Sequence, residues 1–309
     1  MGTDADKPPY SNRGVILRET AVSGSECAFS FDAYCATVEA EPAHVLDYLE
    51  QALLEAGFDT KRSEGPSVRF YDHNVVIADE NGHRLASVRY GGANGRPFVE
   101  CKGAASPIVA AELKAQFPFH YPARIDSALD LRAPGIFEKL LGICREFEDR
   151  VQMNLIGASP ENPDRGTTLY LGSRKSPYMV RVYQKGLKHA EEMGLQGEDI
   201  PDDLRYWVRV ELELKPEKRP AKVKARQLDP AALWGCSPWV ADFAKIALSI
   251  DAERVKMTEK RESNHDRAMR YCAMQYGAAH LVQIERLGLD AYLEDWLHRI
   301  GYSDASKAA

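Results

Sequence analysis

The chain has 309 residues, of which 28% are charged and 44% hydrophobic, and its formal net charge is -6 at pH 7. This composition is typical of a soluble globular protein and excludes a disordered, a collagen-like or a membrane-spanning chain. Taken alone, the negative net charge argues against a nucleic-acid partner.

The charge is unevenly distributed along the chain. Residues 165–189 hold six lysines and arginines and no acid, and residues 205–226 hold eight basic residues against three acids. The rest of the chain is therefore strongly acidic. Such an asymmetry indicates a local basic surface that the overall net charge conceals.

The amino-terminal segment MGTDADKPPYSNRG is polar, and no long apolar run follows it that would act as a secretion signal or a membrane span. The cysteines at 27, 35, 101, 144, 236 and 272 form no CxxC pair and no zinc spacing. We expect reduced thiols, a cytoplasmic location and no membrane partner.

The first half of the chain is predicted to begin with a flexible polar arm at 1–24. The elements predicted after it are a strand at 27–38, a helix at 44–56, strands at 67–78, 84–90 and 97–101, and a helix at 108–117. Asn81-Gly82 marks a hairpin turn between two of these strands.

A similar order follows in the second half. Its predicted elements are a strand at 123–131, a helix at 135–150, and strands at 167–171, 178–183 and 207–214. The order indicates a strand-helix-three-strand pseudo-repeat with halves at 25–117 and 118–227. Helices are predicted at 230–234, 239–249 and 253–284, which makes 228–309 a helical C-terminal region. We predict an α+β fold with a mostly antiparallel sheet core flanked by helices.

Three predicted strands of the second half have one apolar face and one ionisable face, because side chains alternate along a strand. The ionisable faces carry Arg124, Asp126 and Asp130; Arg181, Tyr183 and Lys185; and Arg209, Glu211, Glu213 and Lys215. If the three strands lie in one sheet, these faces converge.

Such a convergence has a chemical interpretation. Two or three carboxylates without histidine suit Mg²⁺ or Mn²⁺, and such an ion polarises a phosphodiester. Tyr183 is a candidate nucleophile that attacks phosphorus, with Arg181 and Lys185 beside it to favour the ionised form. The alternative interpretation is a set of solvent-facing strands with paired charges and a structural tyrosine.

Two basic segments are candidate contacts for a nucleic-acid backbone. The turn Gly172–Ser176 contains Ser173, Arg174 and Lys175, which suit phosphate oxygens, although it lacks the P-loop spacing. The cluster at 215–226 follows the last acidic strand directly. A solvated turn and a solvated linker are the alternatives for these two segments.

The order of the motifs resembles a known family. RIDSALDL at 124–131, TLYLGSRKSPYMVRVYQKG at 168–186 and WVRVELELK at 207–215 are similar to segments of the replication initiation factor family. These proteins are rolling-circle initiators of plasmids and filamentous phages, related to transfer relaxases. PFVECKGAA at 97–105 extends the resemblance, which spans about 30–215.

The resemblance implies an activity and a role for each matching residue. Tyr183 corresponds to the nucleophile that nicks one DNA strand and keeps its 5′ phosphate. Asp126, Glu211 and Glu213 correspond to the ligands of a divalent metal, Mg²⁺ or Mn²⁺, and Asp130 to a further acid of that site. Gln184 departs from the expected acid or asparagine. The expected DNA contacts are Ser173, Arg174, Lys175, Lys188 and Arg209.

The resemblance also implies partners and makes 25–227 a catalytic nicking domain. The partners are a single-stranded or hairpin DNA origin and a host helicase in the cytoplasm of a bacterium, and a homodimer is left open. Three other functions stay open: a conjugative relaxase, a non-catalytic DNA-binding regulator, and a metal-dependent nuclease that uses water while Tyr183 is structural.

Overall fold

The computed structural model describes residues 28–68, 70–148, 151–156, 166–257 and 264–301. The predicted arm at 1–24 lies outside these ranges. Cys27 and Arg165 also lie outside them. The chain divides into two compact units, Met1–Met257 and Thr258–Ala309.

The first unit is built on one ten-stranded sheet, in which all paired strands of the described residues are antiparallel. The strands are β1 (Ser30–Val38), β2 (Lys61–Glu64), β3 (His73–Ala78), β4 (Arg84–Tyr90), β5 (Phe98–Lys102), β6 (His120–Arg132), β7 (Met153–Ile156), β8 (Thr168–Leu171), β9 (Tyr178–Tyr183) and β10 (Trp207–Leu214). Helices flank the sheet, so the predicted α+β class is confirmed.

The strand order across the sheet is β2-β3-β4-β5-β1-β6-β10-β9-β8-β7. Each strand of the first half has its counterpart five strands later, at the same distance from the central β1–β6 pair. The predicted pseudo-repeat is therefore present in the topology, with four strands after the helix of each half instead of three. The added strands, β2 and β7, are short and lie at the two edges. The KRSE sequence of β2 is polar throughout and shows no alternation.

The helices of the first unit are α1 (Pro42–Glu55), α2 (Ser106–Gln116), α3 (Ile136–Glu146), α4 (Lys185–Glu192), α5 (Asp202–Arg205), α6 (Arg219–Ala225) and α7 (Pro238–Leu248). The helix α1 illustrates why they form: Pro42 stands at its first turn, and Val45, Leu49 and Leu53 recur on one buried side. This apolar side packs in the core with one face of the sheet.

The segment after 227 contributes to the core of the first unit. Trp234 and Phe243 are fully buried and stack with ring centroids 6.5 Å apart. Residues 251–257 are not helical, in contrast to the helix predicted at 253–284. They are held extended, because the amide of Val255 donates to the carbonyl of Gly235 at 3.0 Å and Met257 is buried in the core.

The second unit contains α8 (Asn264–Leu287) and α9 (Leu289–Arg299). His280 of α8 contacts both Tyr292 and Trp296 of α9. None of the helices in the described ranges combines the length and the apolar character that crossing a membrane requires.

The sheet has two chemically different faces. Ile125, Val182, Val210 and Leu212 point into the apolar core with the helices. Their neighbours along the same strands point to the opposite side, which is called the polar face below. Side chains of both signs are buried there, so each needs a partner.

Candidate active site

The register of the central strands gathers the predicted ionisable residues. Across the β6–β10 pair, Asp126 lies opposite Glu213 and Asp130 lies opposite Arg209. Across the β10–β9 pair, Glu211 lies opposite Arg181 and Arg209 lies opposite Tyr183. We call the resulting group the tyrosine cluster; its members are Asp32, Arg124, Asp126, Asp130, Arg181, Tyr183, Arg209, Glu211 and Glu213.

The predicted nucleophile is directly bonded to an acid. The hydroxyl of Tyr183 donates a hydrogen bond to Oε1 of Glu211 at 3.2 Å. Burial, followed by the negative charge of Glu211, raises the pKa of Tyr183 well above its usual range. Ionisation of this tyrosine therefore requires additional positive charge close to its oxygen.

Asp32 completes the cluster from β1, although it was not among the predicted site residues. It is the extra residue at a β-bulge between Phe31 and Ala33, and its carboxyl group is hydrogen-bonded to that of Glu211. Its signal in the sequence was a single acid within an otherwise largely apolar strand.

The Asp32–Glu211 pair is electrostatically strained. Burial and the neighbouring charge of Asp32 raise the pKa of Glu211 to about 8. Burial alone would raise the pKa of Asp32 as well, but the charges of Arg209, Lys185 and Arg181 and the hydrogen bond to Glu211 together outweigh burial, so the net shift is downward. The shared proton therefore resides on Glu211. Two carboxyl groups in direct contact mark a place where a cation would be stabilised.

Two arginines bridge the remaining acids of the cluster. Arg124 donates from Nε to Oδ1 of Asp126 at 2.8 Å and lies 2.9 Å from Glu213. Arg181 donates to Asp126 at 3.0 Å and also contacts Glu211. Burial raises the pKa of Asp126, although both guanidiniums oppose this shift. Three of the predicted metal ligands, Asp126, Glu211 and Glu213, are thus engaged by arginines in this structure.

Arg209 is buried rather than presented to DNA. Its side chain is 6% exposed, its Nε donates to Oδ1 of Asp130 at 2.6 Å, and it contacts Asp32. Burial would raise the pKa of Asp130, but Arg209 outweighs burial and lowers it. In this position each of the three nitrogens of Arg209 donates to Asp32 or Asp130, so the side chain orients these two acids.

Lys185, the first residue of α4, lies close to the tyrosine cluster. Its ammonium is 4.7 Å from the centre of the Trp207 ring. Burial, followed by the positive charge of Arg209, lowers the pKa of Lys185 to about 8. The side chain therefore loses its positive charge as the pH rises through about 8.

The predicted phosphate-binding turn connects β8 to β9. Gly172 has a positive φ of 88°, and a Cβ there would lie 3.1 Å from the carbonyl oxygen of Tyr178. Arg174 and Lys175 are exposed, as is Lys188 of α4. A cavity of about 300 Å³ joins the turn to the tyrosine cluster; its lining includes Arg124, Tyr170, Arg174, Arg181, Glu213 and Lys215.

The cluster suits a divalent metal in its chemistry. Its acids offer only oxygen ligands, as Mg²⁺ and Mn²⁺ prefer. In the described ranges, no three His, Cys, Asp or Glu side chains form a complete set of ligands. The contacting pair Asp32 and Glu211 fits a cation best, with substrate and water oxygens to complete the shell. All five acids of the cluster are paired with an arginine, including Glu211 with Arg181 and Asp32 with Arg209. The direct contact between two carboxyl groups is what distinguishes Asp32 and Glu211 from the others.

Comparison with known proteins supports the resemblance seen in the sequence. Residues 142–276 match the model of a family described as replication initiation factor. This confirms the resemblance over a segment that contains Tyr183 and Glu211. A solved structure of a rolling circle replication initiator protein from Geobacillus stearothermophilus aligns with 78% of this chain and 91% of that chain, at 18% identity and a TM-score of 0.46. No curated protein matches the chain.

Proposed function

We propose that this chain, which matches the replication initiation factor family over residues 142–276, initiates rolling-circle replication by nicking and rejoining one DNA strand. The observation that carries the proposal is the hydrogen bond between the Tyr183 hydroxyl and the buried Glu211, within a cluster of three arginines. A tyrosine next to a base and several cations is suited to nucleophilic attack on a phosphodiester.

The proposed reaction forms one bond and breaks one bond. The Tyr183 oxygen attacks phosphorus while the bond from phosphorus to the 3′ oxygen breaks, so the 5′ phosphate stays on the tyrosine. The leaving 3′ oxygen takes up a proton from water and becomes a 3′ hydroxyl. Glu211 would lose its own proton once a cation lies beside its pair with Asp32, and it then accepts the tyrosine proton through Oε1. In rejoining, the 3′ hydroxyl loses its proton to water and attacks the same phosphorus, the bond from phosphorus to the tyrosine oxygen breaks, and Tyr183 recovers its proton from Glu211. The phosphotyrosine link keeps the energy of the broken bond available for this step.

The cations of the cluster compensate the charge that develops on the phosphate. Arg181 and Arg124 lie on the polar face beside the acids, and Lys185 approaches from α4. Asp32 and Glu211 would hold a Mg²⁺ or Mn²⁺ ion, which would polarise the phosphodiester and favour ionised Tyr183. The raised pKa of Tyr183 in the protein alone supports a requirement for such an ion.

The proposed substrate is single-stranded or hairpin DNA at an origin. The exposed cations Arg174, Lys175 and Lys188, together with Ser173, are the proposed backbone contacts near the cluster. A host helicase is the proposed further partner, because the 3′ end released by nicking must be extended on an unwound template.

The decisive test is a covalent adduct. Wild-type protein with Mg²⁺ or Mn²⁺ and a single-stranded origin oligonucleotide should give a protein–DNA species that survives denaturing electrophoresis. We expect Tyr183→Phe to form none, because the attacking oxygen is gone. Tyr178→Phe is the matched control, since Tyr178 stands at the other end of β9 and packs against the core.

Each other outcome favours a different function. Equal products from wild type and Tyr183→Phe would exclude the tyrosine mechanism, and cutting without an adduct would indicate a nuclease that uses water. Binding without cutting would indicate a regulator. Cutting at a transfer origin, and not at a replication origin, would indicate a conjugative relaxase.

A further inference from the structure

A second group of cations lies on the polar face in the first half of the sheet. Glu100 of β5 is contacted by Lys102 at 2.9 Å, by Arg84 at 3.5 Å and by Arg89. Burial would raise the pKa of Glu100, but the three cations outweigh burial and lower it. One carboxylate among three cations leaves a local excess of positive charge. We call these four residues the Glu100 cluster.

The Glu100 cluster is separated from the tyrosine cluster by a single strand. Ala33 of β1 has Lys102 as its partner on one side and Asp126 on the other. Neighbouring strands are about 4.8 Å apart, so the backbones at Lys102 and Asp126 are about 10 Å apart. The two clusters therefore form one continuous polar surface across β1.

An aromatic side chain lies among these cations. Along β5, Val99 and Cys101 point into the core, so Phe98 shares the polar face with Glu100 and Lys102. Phe98 is only half-buried, and the guanidinium of Arg89 lies 6.0 Å from its ring centre. The ring of Tyr71 lies 6.2 Å from the ring of Phe98.

The helix α4 connects the two clusters. It begins with Lys185 at the tyrosine cluster, and a helix of its length spans about 12 Å. A cavity of about 450 Å³ lies between its other end and the Glu100 cluster, where the lining includes Arg84, Lys102, Asp79, His189, Glu192 and Met193. A strand bound near Tyr183 thus has an open path towards Arg84 and Lys102.

We propose that the Glu100 cluster, with Phe98 and Tyr71, is a second binding surface for single-stranded DNA. The cations would contact phosphates, and the two rings would stack on unpaired bases. Interleaved cations and rings on an open sheet are suited to unpaired bases, because the bases of a duplex are already stacked and enclosed. The inference rests on the proposed function, since the strand bound at this surface would be the same strand that Tyr183 cuts.

The test measures binding without cleavage. The probe is a fluorescent thymidine oligonucleotide of about 20 nucleotides, which is longer than the stretch that one such surface covers. EDTA is present to prevent metal-dependent cleavage. We expect Phe98→Leu to weaken binding about tenfold through loss of stacking. We expect Arg84→Ala with Lys102→Ala to reduce the slope of log affinity against log salt by about 1.4, for two lost phosphate contacts.

Two matched controls lie on the helical side of the sheet. Tyr48→Leu removes an exposed ring from α1, and Lys139→Ala removes an exposed cation from α3. Neither should change the affinity or the salt slope. Thermal unfolding of each variant identifies a folding defect. Arg84 and Lys102 are 43% and 52% exposed, so their replacement tests the proposal independently of the packing of Phe98.

The outcomes separate this inference from the proposed function. Unchanged affinity and slope in both variants, or a wild type that does not bind the oligonucleotide, would overturn it. If the same variants lost affinity for a DNA duplex of the same length by the same factor, the assignment to single strands would be overturned. Because no cleavage is measured, the expected losses would support this surface even if Tyr183 formed no adduct.

Discussion

The two halves of the sheet share one topology and carry different chemistry on their polar faces. In the first half, β4 and β5 present the Glu100 cluster and Phe98. In the second half, β9 and β10 present Tyr183, Arg181, Arg209 and Glu211. The apolar faces of both halves join one core. The apolar pattern therefore determines the scaffold, and the polar positions are free to differ between the halves.

The difference also shows that the second half does not form its site alone. Asp32 belongs to the first half, yet it contacts Arg209 and Glu211 of β10. Its position depends on the bulge in β1 and on the central pairing of β1 with β6. The proposed metal pair thus spans the boundary between the halves, so the proposed site needs residues from both.

The largest expected effect is the difference in nicking rate between variants of two glutamates, the buried Glu211 and the partly exposed Glu100. Glu211→Gln should slow nicking by about 10²–10⁴-fold, because an amide cannot accept the tyrosine proton. Glu100→Gln, in the corresponding strand of the first half, frees three cations and should tighten DNA binding while nicking persists. Single-turnover adduct formation at saturating DNA measures the first effect, and fluorescence anisotropy measures the second. Equal nicking rates in the two variants would remove the functional division between the halves.

The second expected effect is a difference in stability between variants of two arginines, Arg209 and Arg84. Arg209→Met leaves Asp32 and Asp130 buried without their cation, so we expect the free energy of unfolding to fall by about 3–5 kcal/mol. Arg84→Met removes a half-exposed partner of Glu100, which keeps two other cations, and should cost less than about 1 kcal/mol. Urea denaturation of both variants with EDTA present measures the difference. Similar losses would mean that the two clusters are equally important for folding.

The sequence predicted the parts of this arrangement that depend on local patterns. The alternation in β6, β9 and β10 separated Asp126, Tyr183 and Glu211 from their apolar neighbours, and the structure has them on one face. The order of elements predicted both the antiparallel sheet and the repeat. These features follow from periodicity, which each segment carries in itself.

The parts that were missed depend on contacts between distant segments. Asp32 is 177 residues from Arg209, and a bulge breaks the alternation that would have assigned it to a face. Arg209 was predicted to contact DNA, but its side chain is buried in the structure. Its burial follows from its pairing with two acids on other strands, Asp32 and Asp130. The proposed stacking role of Phe98 depends on its contacts with Arg89 and Tyr71, which lie on other segments of the chain. No local pattern contains these relations.

The smallest expected effect is a pH dependence of nicking that arises from the half-buried Lys185 and not from the exposed Lys102. Lys185 is charged below its pKa of about 8 and loses its charge as the pH rises through that value. If its ammonium stabilises the phosphate during attack, single-turnover nicking should decline above about pH 8. In Lys185→Arg the decline should move to higher pH, because a guanidinium stays protonated. Lys102→Arg, at the exposed cluster of the first half, should leave the pH profile unchanged. A decline at the same pH in Lys185→Arg would show that another group titrates, and α4 would then contribute position alone.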